Sequence, residues 1–233
     1  MSSNENITNE EKSRSIQQMF DNIADKYDFL NGVLSFSLDD KWRRKAIEIA
    51  EISEGQKVID LACGTGDMIL EIKKQHPDCH VFGGDFSVNM LHHCKEKIPS
   101  CPLSAADAHH LPYKDDSFDR LTIAFGFRNV TDKQQGLLEF KRVLKPGGKV
   151  CILELTRPEN ILTSFFYKIY FMHILPFIGG LFSSRKAYKY LPKSVYSFPK
   201  RKEYRQLIEN AGFKNIQFHT LFFGAVTVVV MEK

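Results

Sequence analysis

The sequence predicts an α/β fold: one mostly parallel, doubly wound, seven-stranded sheet with a carboxyl-terminal antiparallel hairpin and helical lid segments. Three observations predict it. Between Lys57 and Leu155, short apolar runs alternate with segments of helical period. That rhythm belongs to strand–helix–strand units, whose strands lie parallel with helices on both sheet faces. Several of these runs close on an acidic residue or a glycine turn, as at Asp60 to Gly66, Asp85 and Asp107. Finally, Lys214 to His219 and Ala225 to Met231 are strand-like and separated by few residues, which suits a hairpin at one sheet edge.

Each element follows from local pattern. Residues 1–12 are polar and include Glu5, Glu10 and Glu11, so they are expected to form a disordered tail; they lack the apolar stretch of a signal peptide. A single domain is expected over 13–233. It begins with a helical lid over 13–52, where Ile16, Met19, Phe20 and Ile23 recur at helical spacing and Trp42, Ala46, Ile49 and Ala50 mark a later helix face. Asn31-Gly32 reads as a turn between them. Strands follow at Lys57 to Leu61, His80 to Gly83, Pro102 to Ala106, Phe118 to Phe125 and Lys149 to Leu155. Helices fall near Met68 to Lys74, around Met90 to Cys94, and over Gln134 to Val143, with Lys145-Pro146-Gly147-Gly148 as a turn. An apolar cap is expected over 156–200. Its segment Ile161 to Phe182 is aromatic, but Lys168, His173, Pro176, Gly179 and Gly180 break it, which argues against a membrane span and for a helical cover over a greasy pocket.

Composition narrows the function classes. Of 233 residues, 43% are hydrophobic and 26% charged, which suits one globular domain with a full core. A net charge of +4 is too small to imply nucleic acid, and none is expected as a partner. A basic strip from Lys186 to Arg205 suggests either a solvated face or attraction to anionic lipid headgroups, which places a membrane-surface contact in the 161–205 region. The five cysteines include no Cys-x-x-Cys pair and read as reduced thiols of a cytoplasmic protein. His92-His93 and His109-His110 are adjacent pairs without ligand spacing, so no metal is expected. A homodimer is the expected assembly.

The chemistry sits at the strand ends, where open α/β sheets bind ligands. Asp60 leads into Gly64-Thr65-Gly66, whose glycines allow a close backbone approach and positive φ. A dinucleotide loop wants a third small residue, and Ile69 stands there instead. Asp60 and Asp67 suit a cationic sulfonium better than a pyrophosphate, so the loop favours S-adenosylmethionine over a nicotinamide dinucleotide. Asp85, ending the second strand, can accept both ribose hydroxyls. Asp107-Ala108, ending the third, can take the adenine amino group on a carboxylate and offer a backbone N–H to a ring nitrogen.

Beyond this site, Phe20-Asp21, Tyr27-Asp28, Asn31 and Trp42-Arg43 resemble the amino-terminal signature of the UbiE/MenG quinone C-methyltransferases. Ala124 to Asp132 resembles that family's most specific motif, and Leu144 to Gly148, Glu154, Leu175-Pro176, Tyr190-Leu191-Pro192 and Phe198-Pro199 extend the likeness over roughly 19–213. The resemblance implies a class I, Rossmann-like methyltransferase fold and methylation of a ring carbon on a prenylated quinol, with demethylmenaquinol as the favoured acceptor and a methoxy-benzoquinol as the alternative. It carries cofactor contacts to Thr65, Asp85, Asp107 and Ala108. It departs from the family at Ala124, where a serine is common, and at Leu221 to Val226, which lacks a glycine pair.

In that setting Arg128 is the candidate to stabilise a quinolate oxygen with its donor fork, Asn129 to orient it, and Tyr27 of the lid to hydrogen-bond the same oxygen or relay its proton. Two other classes stay open: a different methyltransferase, of a small molecule or an RNA, and a non-catalytic S-adenosylmethionine-binding protein.

Overall fold

A computed structural model describes residues 8–169 and 185–233. The lid comprises α1 (Asn9–Ile23), α2 (Tyr27–Ser35) and α3 (Asp39–Ile49). The sheet then builds through β1 (Lys57–Leu61), α4 (Asp67–Gln75), β2 (His80–Asp85), α5 (Val88–Lys97), β3 (Leu103–Ala105), β4 (Phe118–Ala124), α6 (Lys133–Val143) and β5 (Leu144–Leu155). The cap holds helices at Ile161–Ile169 and Arg185–Ser197. A further helix, Arg201–Asn210, precedes β6 (Lys214–Leu221) and β7 (Val226–Glu232).

The seven strands lie in the order β3-β2-β1-β4-β5-β7-β6. All neighbouring pairs up to β5 are parallel, and β7 enters antiparallel between β5 and β6. Strand order reverses between β1 and β4, so the crevice beyond their carboxyl ends is where a ligand belongs. Period-two alternation splits the core between the two sheet faces. On β1, Ile59 and Leu61 join Phe127, Phe140 and Tyr204 on one side, while Val58 joins Ile47, Ile69 and Ile72 on the other. Val229 and Met231 of β7 face the first group, and Val228 and Val230 the second.

Three local expectations change. Asn31-Gly32 is no turn: it lies inside α2, and the chain reverses after it at Phe36 and Ser37, both at positive φ. Helix α1 begins at Asn9, inside the expected tail, because Thr8 and Glu11 form a reciprocal capping box: the Glu11 N–H donates to Thr8 Oγ1 (3.2 Å) and the Thr8 N–H to Glu11 Oε2 (2.8 Å). Lys145 to Gly148 is no free turn. It lies within β5 as a bulge, since Phe118 pairs Leu144 while Arg120 pairs Lys149. A Cβ on Gly148 would stand 2.8 Å from the Lys145 carbonyl oxygen, so that bulge requires glycine. Within the basic strip, the Arg201 and Arg205 guanidinium groups stack over the Phe218 ring at 5.0 and 5.1 Å, and Arg201 remains exposed. His173 and Leu175 to Gly180 lie outside the described residues.

Candidate active site

The glycine loop joins β1 to α4 with Gly64 and Gly66 at φ of 53° and 94°, so both occupy the left-handed region where a side chain would be strained. Asp85 locks this loop to the tip of β2. Its Oδ2 accepts the Gly64 N–H (2.8 Å) and its Oδ1 the Ser87 N–H (2.8 Å). Burial pushes its carboxyl up to about 6, against the pull of those backbone donors. Each carboxylate oxygen keeps a further acceptor position. Paired vicinal hydroxyls suit those positions, so the residues fit the ribose of S-adenosylmethionine.

The other acids hold different places. Asp60 lies beneath the loop rather than on its open face: it is 1% exposed and accepts the Thr122 hydroxyl at 2.7 Å. Burial raises its carboxyl to about 7. Asp67 is already paired, with Lys97 Nζ at 2.7 Å and Arg43 Nη2 at 3.5 Å, so it does not present free charge to a sulfonium. Asp107 is exposed, and its Oδ1 takes both the His109 N–H (2.9 Å) and His109 Nδ1 (2.6 Å). His109 Nε2 accepts the Asp132 N–H, which leaves the ring proton on Nδ1. Ala108 sits half-buried beside it.

The lid is pinned over these loops by polar contacts. Gln17 Nε2 donates to the Phe86 carbonyl (2.6 Å), and the Ser87 hydroxyl to Asp21 (2.5 Å). The Thr65 hydroxyl donates to Asp28 (2.5 Å), which Lys97 also holds at 2.7 Å. Thr65 therefore belongs to the lid contact, and a ligand would share it with Asp28.

Beneath the lid is a cavity of about 580 Å³. Its walls are apolar, with Leu30, Leu34, Trp42, Leu155, Leu191 and Phe222 among them, and Tyr27, Arg128 and Tyr190 supply polar groups. Of the expected catalytic residues, Tyr27 and Arg128 line this cavity, while Asn129 is not among its lining residues and reaches it through Tyr190. Arg128 Nη1 donates to Glu154 Oε1 (2.8 Å) and to the Phe125 carbonyl, and the Arg128 N–H donates to Glu154 Oε2 (2.9 Å). Arg128 Nε is buried and has no partner among the described residues, so a ligand oxygen would relieve it. Burial raises the Tyr27 phenol, opposed by its hydrogen bond with Asn31 and by the charge of Arg128. It is therefore a hydrogen-bond donor at neutral pH. Asn129 Oδ1 accepts the Tyr190 hydroxyl at 3.0 Å.

The model of the ubiE/COQ5 methyltransferase family matches residues 7–233. The chain belongs to that family. It is 46% identical over 230 residues to the ubiquinone/menaquinone biosynthesis C-methyltransferase UbiE of Geotalea daltonii, covering 96% of this chain and 98% of that protein. It is 41% identical to the demethylmenaquinone methyltransferase of Deinococcus radiodurans, covering 96% and 95%. Solved structures agree on the fold. A SAM-dependent methyltransferase from Aquifex aeolicus superposes with a TM-score of 0.60 at 18% identity, over 82% of this chain and 88% of that one. Phosphoethanolamine N-methyltransferase 2 of Haemonchus contortus, in complex with S-adenosyl-L-methionine, does so at 0.59 and 20%, over 78% and 38%. The fold is that of class I methyltransferases, as expected.

In this family member, the sequence pattern left three parts of the site without a role. Glu154 stood in a matching motif with no task, and it is the partner of Arg128. Tyr190 belonged to the Tyr190-Leu191-Pro192 match and read as part of a basic, aromatic surface, yet it lines the cavity. Asp28 followed Tyr27 in the amino-terminal signature, and its carboxylate reaches Thr65 from the lid. Only the folded chain shows what each of them meets.

Proposed function

We propose that this methyltransferase uses S-adenosylmethionine to methylate a ring carbon of a prenylated quinol, with demethylmenaquinol as the acceptor. The observation that carries this is the mostly apolar cavity of about 580 Å³ whose polar lining includes Tyr27, Arg128 and Tyr190. An isoprenoid tail suits its apolar walls and a quinol its hydroxyl donors. The names borne by the Geotalea and Deinococcus relatives support the same chemistry.

S-adenosylmethionine supplies an electrophilic methyl group. The protein must make the ring carbon nucleophilic, and a quinol does so when a hydroxyl ionises and pushes charge to the ortho position. A phenol ionises near ~10, so the site has to favour the anion. Arg128, held and charge-balanced by Glu154, provides an unpaired Nε–H. Tyr27 keeps its proton and donates to the same oxygen. Asn129 orients that oxygen through its amide. The hydroxyl proton passes to water; the ring carbon then bonds the methyl group, its own proton also passes to water to restore aromaticity, and alignment in the cavity lowers much of the remaining barrier.

The acceptor is a membrane lipid, and we place the enzyme at the cytoplasmic face of the bilayer. Lys193, Lys200 and Lys202 are exposed in the 161–205 region, and each can contribute about 1 kcal/mol of attraction to anionic headgroups. Among the described residues, no helix is long and apolar enough to cross a membrane. The decisive experiment supplies radiolabelled S-adenosylmethionine with reduced demethylmenaquinol and, separately, with the methoxy-benzoquinol. Label in the naphthoquinol supports the proposal. Label only in the benzoquinol moves the substrate, and label in neither overturns it.

A further inference from the structure

We propose that Tyr190 is a positioning residue for methyl transfer: its hydroxyl fixes the Asn129 amide so that the NH2 end is the one left to donate. An asparagine amide has two unlike ends of nearly the same shape, one accepting and one donating. Which end faces a ligand is decided by the partner on the other end. Here Oδ1 is taken by the Tyr190 hydroxyl at 3.0 Å. Among the described residues nothing accepts from the amide nitrogen, and it is the end that suits a quinolate oxygen, which can only accept. Burial pushes the Tyr190 phenol above its ordinary range, so it stays protonated and keeps donating.

The need for this donor follows from the neighbouring arginine. Arg128 Nη1 is committed to Glu154 and to the Phe125 carbonyl. Asn129, next to it in the same short 3-10 turn (Phe127–Asn129), thus adds a neutral donor to the single uncommitted Nε–H of Arg128. Tyr190 arrives from a different part of the chain, the Arg185–Ser197 helix of the cap. That helix is seated by Val195, which is buried against Leu30 of the lid, with Leu191 and Leu155 packed around them. Seating the cap therefore sets the polarity of an amide delivered by the sheet.

This proposal rests on the acceptor being a quinol. Its test compares the full-length wild type, Tyr190→Phe, Asn129→Ala and the double variant. Phenylalanine keeps the ring and removes only the hydroxyl, and thermal unfolding checks that each variant folds. Tyr190→Phe should lower kcat with the reduced naphthoquinol about tenfold, the scale of one lost hydrogen bond, and leave S-adenosylmethionine affinity within about twofold. The double variant should be no slower than Asn129→Ala, because the hydroxyl acts only through the amide. In the ligand-free protein, the Asn129 side-chain NH2 resonances, assigned by their loss in Asn129→Ala, should shift in Tyr190→Phe. A wild-type kcat in Tyr190→Phe, or a double variant whose losses multiply, overturns the positioning role. So do unmoved Asn129 resonances. A wild type that methylates no quinol fails the functional reading instead, and the catalytic part of this proposal with it.

Discussion

Glu154→Ala should be among the most damaging single substitutions in the cavity wall, and the reason is electrostatic. Glu154 is 1% exposed, and the Arg128 side chain is 8% exposed. The carboxylate accepts three hydrogen bonds, from Arg128 Nη1, the Arg128 N–H and the Leu155 N–H, at 2.8 to 2.9 Å. At 2.8 Å, two unit charges in an effective dielectric of 20 attract by ~6 kcal/mol. Most of that offsets the desolvation of both ions, so the pair adds little net stability while it is intact. Removing one member is different: it leaves a buried guanidinium without its counter-charge, at a loss of about 3–5 kcal/mol. For a chain of 233 residues each kcal/mol moves Tm by about 2–4 °C, so the loss should be on the order of 6–20 °C. Differential scanning calorimetry on purified wild type and Glu154→Ala measures it. The double variant Arg128→Met/Glu154→Leu removes both charges and should recover most of the Tm while remaining inactive. A Glu154→Ala shift under about 2 °C, or a double variant less stable than the single one, would refute the reasoning. The same pair changes how Arg128→Ala is read. That variant strands Glu154, so its expected loss of turnover with retained cofactor affinity must be measured below its own lowered Tm.

Asp85 titrates at about 6, so S-adenosylmethionine affinity should rise from pH 5 to pH 7 as the carboxylate ionises and can accept hydroxyls; isothermal titration at several pH values checks this, and Asp85→Asn should flatten the curve. The sign for stability is opposite. The folded carboxyl lies above its ordinary 3.8, so this group's contribution to ligand-free stability is full below that value and is lost as pH rises through about 6. Gly126→Ala would place a Cβ 2.5 Å from Ala62 Cβ and 3.2 Å from Ile123 Cγ1; overpacking should lower stability by about 1–3 kcal/mol in urea unfolding and weaken cofactor binding, since Ala62 leads directly into the glycine loop. Trp42→Ala removes a cavity wall that packs on Phe125 at 6.3 Å and Phe222 at 5.5 Å. KM for the prenylated acceptor should rise roughly tenfold, the equivalent of ~1.4 kcal/mol of lost apolar burial, while cofactor affinity holds. Unchanged KM would remove Trp42 from the tail site.

What the sequence made legible and what it left hidden divide by distance along the chain. Strands announced themselves through contiguous apolar runs, and the glycine loop and Asp85 through their position at strand ends; these are local signals. The bulge in β5 was misread as a turn because Pro146 and the glycines signal chain reversal equally well. Asp60 was assigned to the open loop, but period-two alternation does not say how deep a strand end lies, and here it lies under Thr122. The pairings that give the site its chemistry join residues far apart: 26 positions between Arg128 and Glu154, 37 between Asp28 and Thr65, 61 between Asn129 and Tyr190. No periodicity reports such a contact.

Those long-range pairings also explain how one site can serve a charged cofactor and a greasy acceptor at once. The cations nearest the crevice are already matched: Arg43 by Asp39 and Asp67, Lys97 by Asp28 and Asp67, Arg128 by Glu154. An unmatched cation under an apolar lid would disfavour both a sulfonium and a prenyl chain. With the charges neutralised in pairs, the groups proposed to meet a ligand are directional: the Asp85 acceptor positions, the Arg128 Nε–H, the Tyr27 hydroxyl and the Asn129 amide. Directional donors stabilise charge only where it develops, which is the property required to favour a quinolate during transfer without binding an arbitrary anion beforehand. Exchanging any one pair for a lone charge should therefore change the relative affinity for charged and neutral ligands. Lys97→Met tests this: it leaves Asp28 without a counter-charge and Asp67 with Arg43 alone on the cofactor side, and leaves the acceptor cavity untouched. S-adenosylmethionine should then gain on its neutral product S-adenosylhomocysteine in relative affinity, because the uncompensated carboxylate charge attracts the sulfonium charge that only the former carries. An unchanged ratio of the two dissociation constants, measured by titration calorimetry at low salt, would show that neutralisation of these pairs has no part in cofactor discrimination.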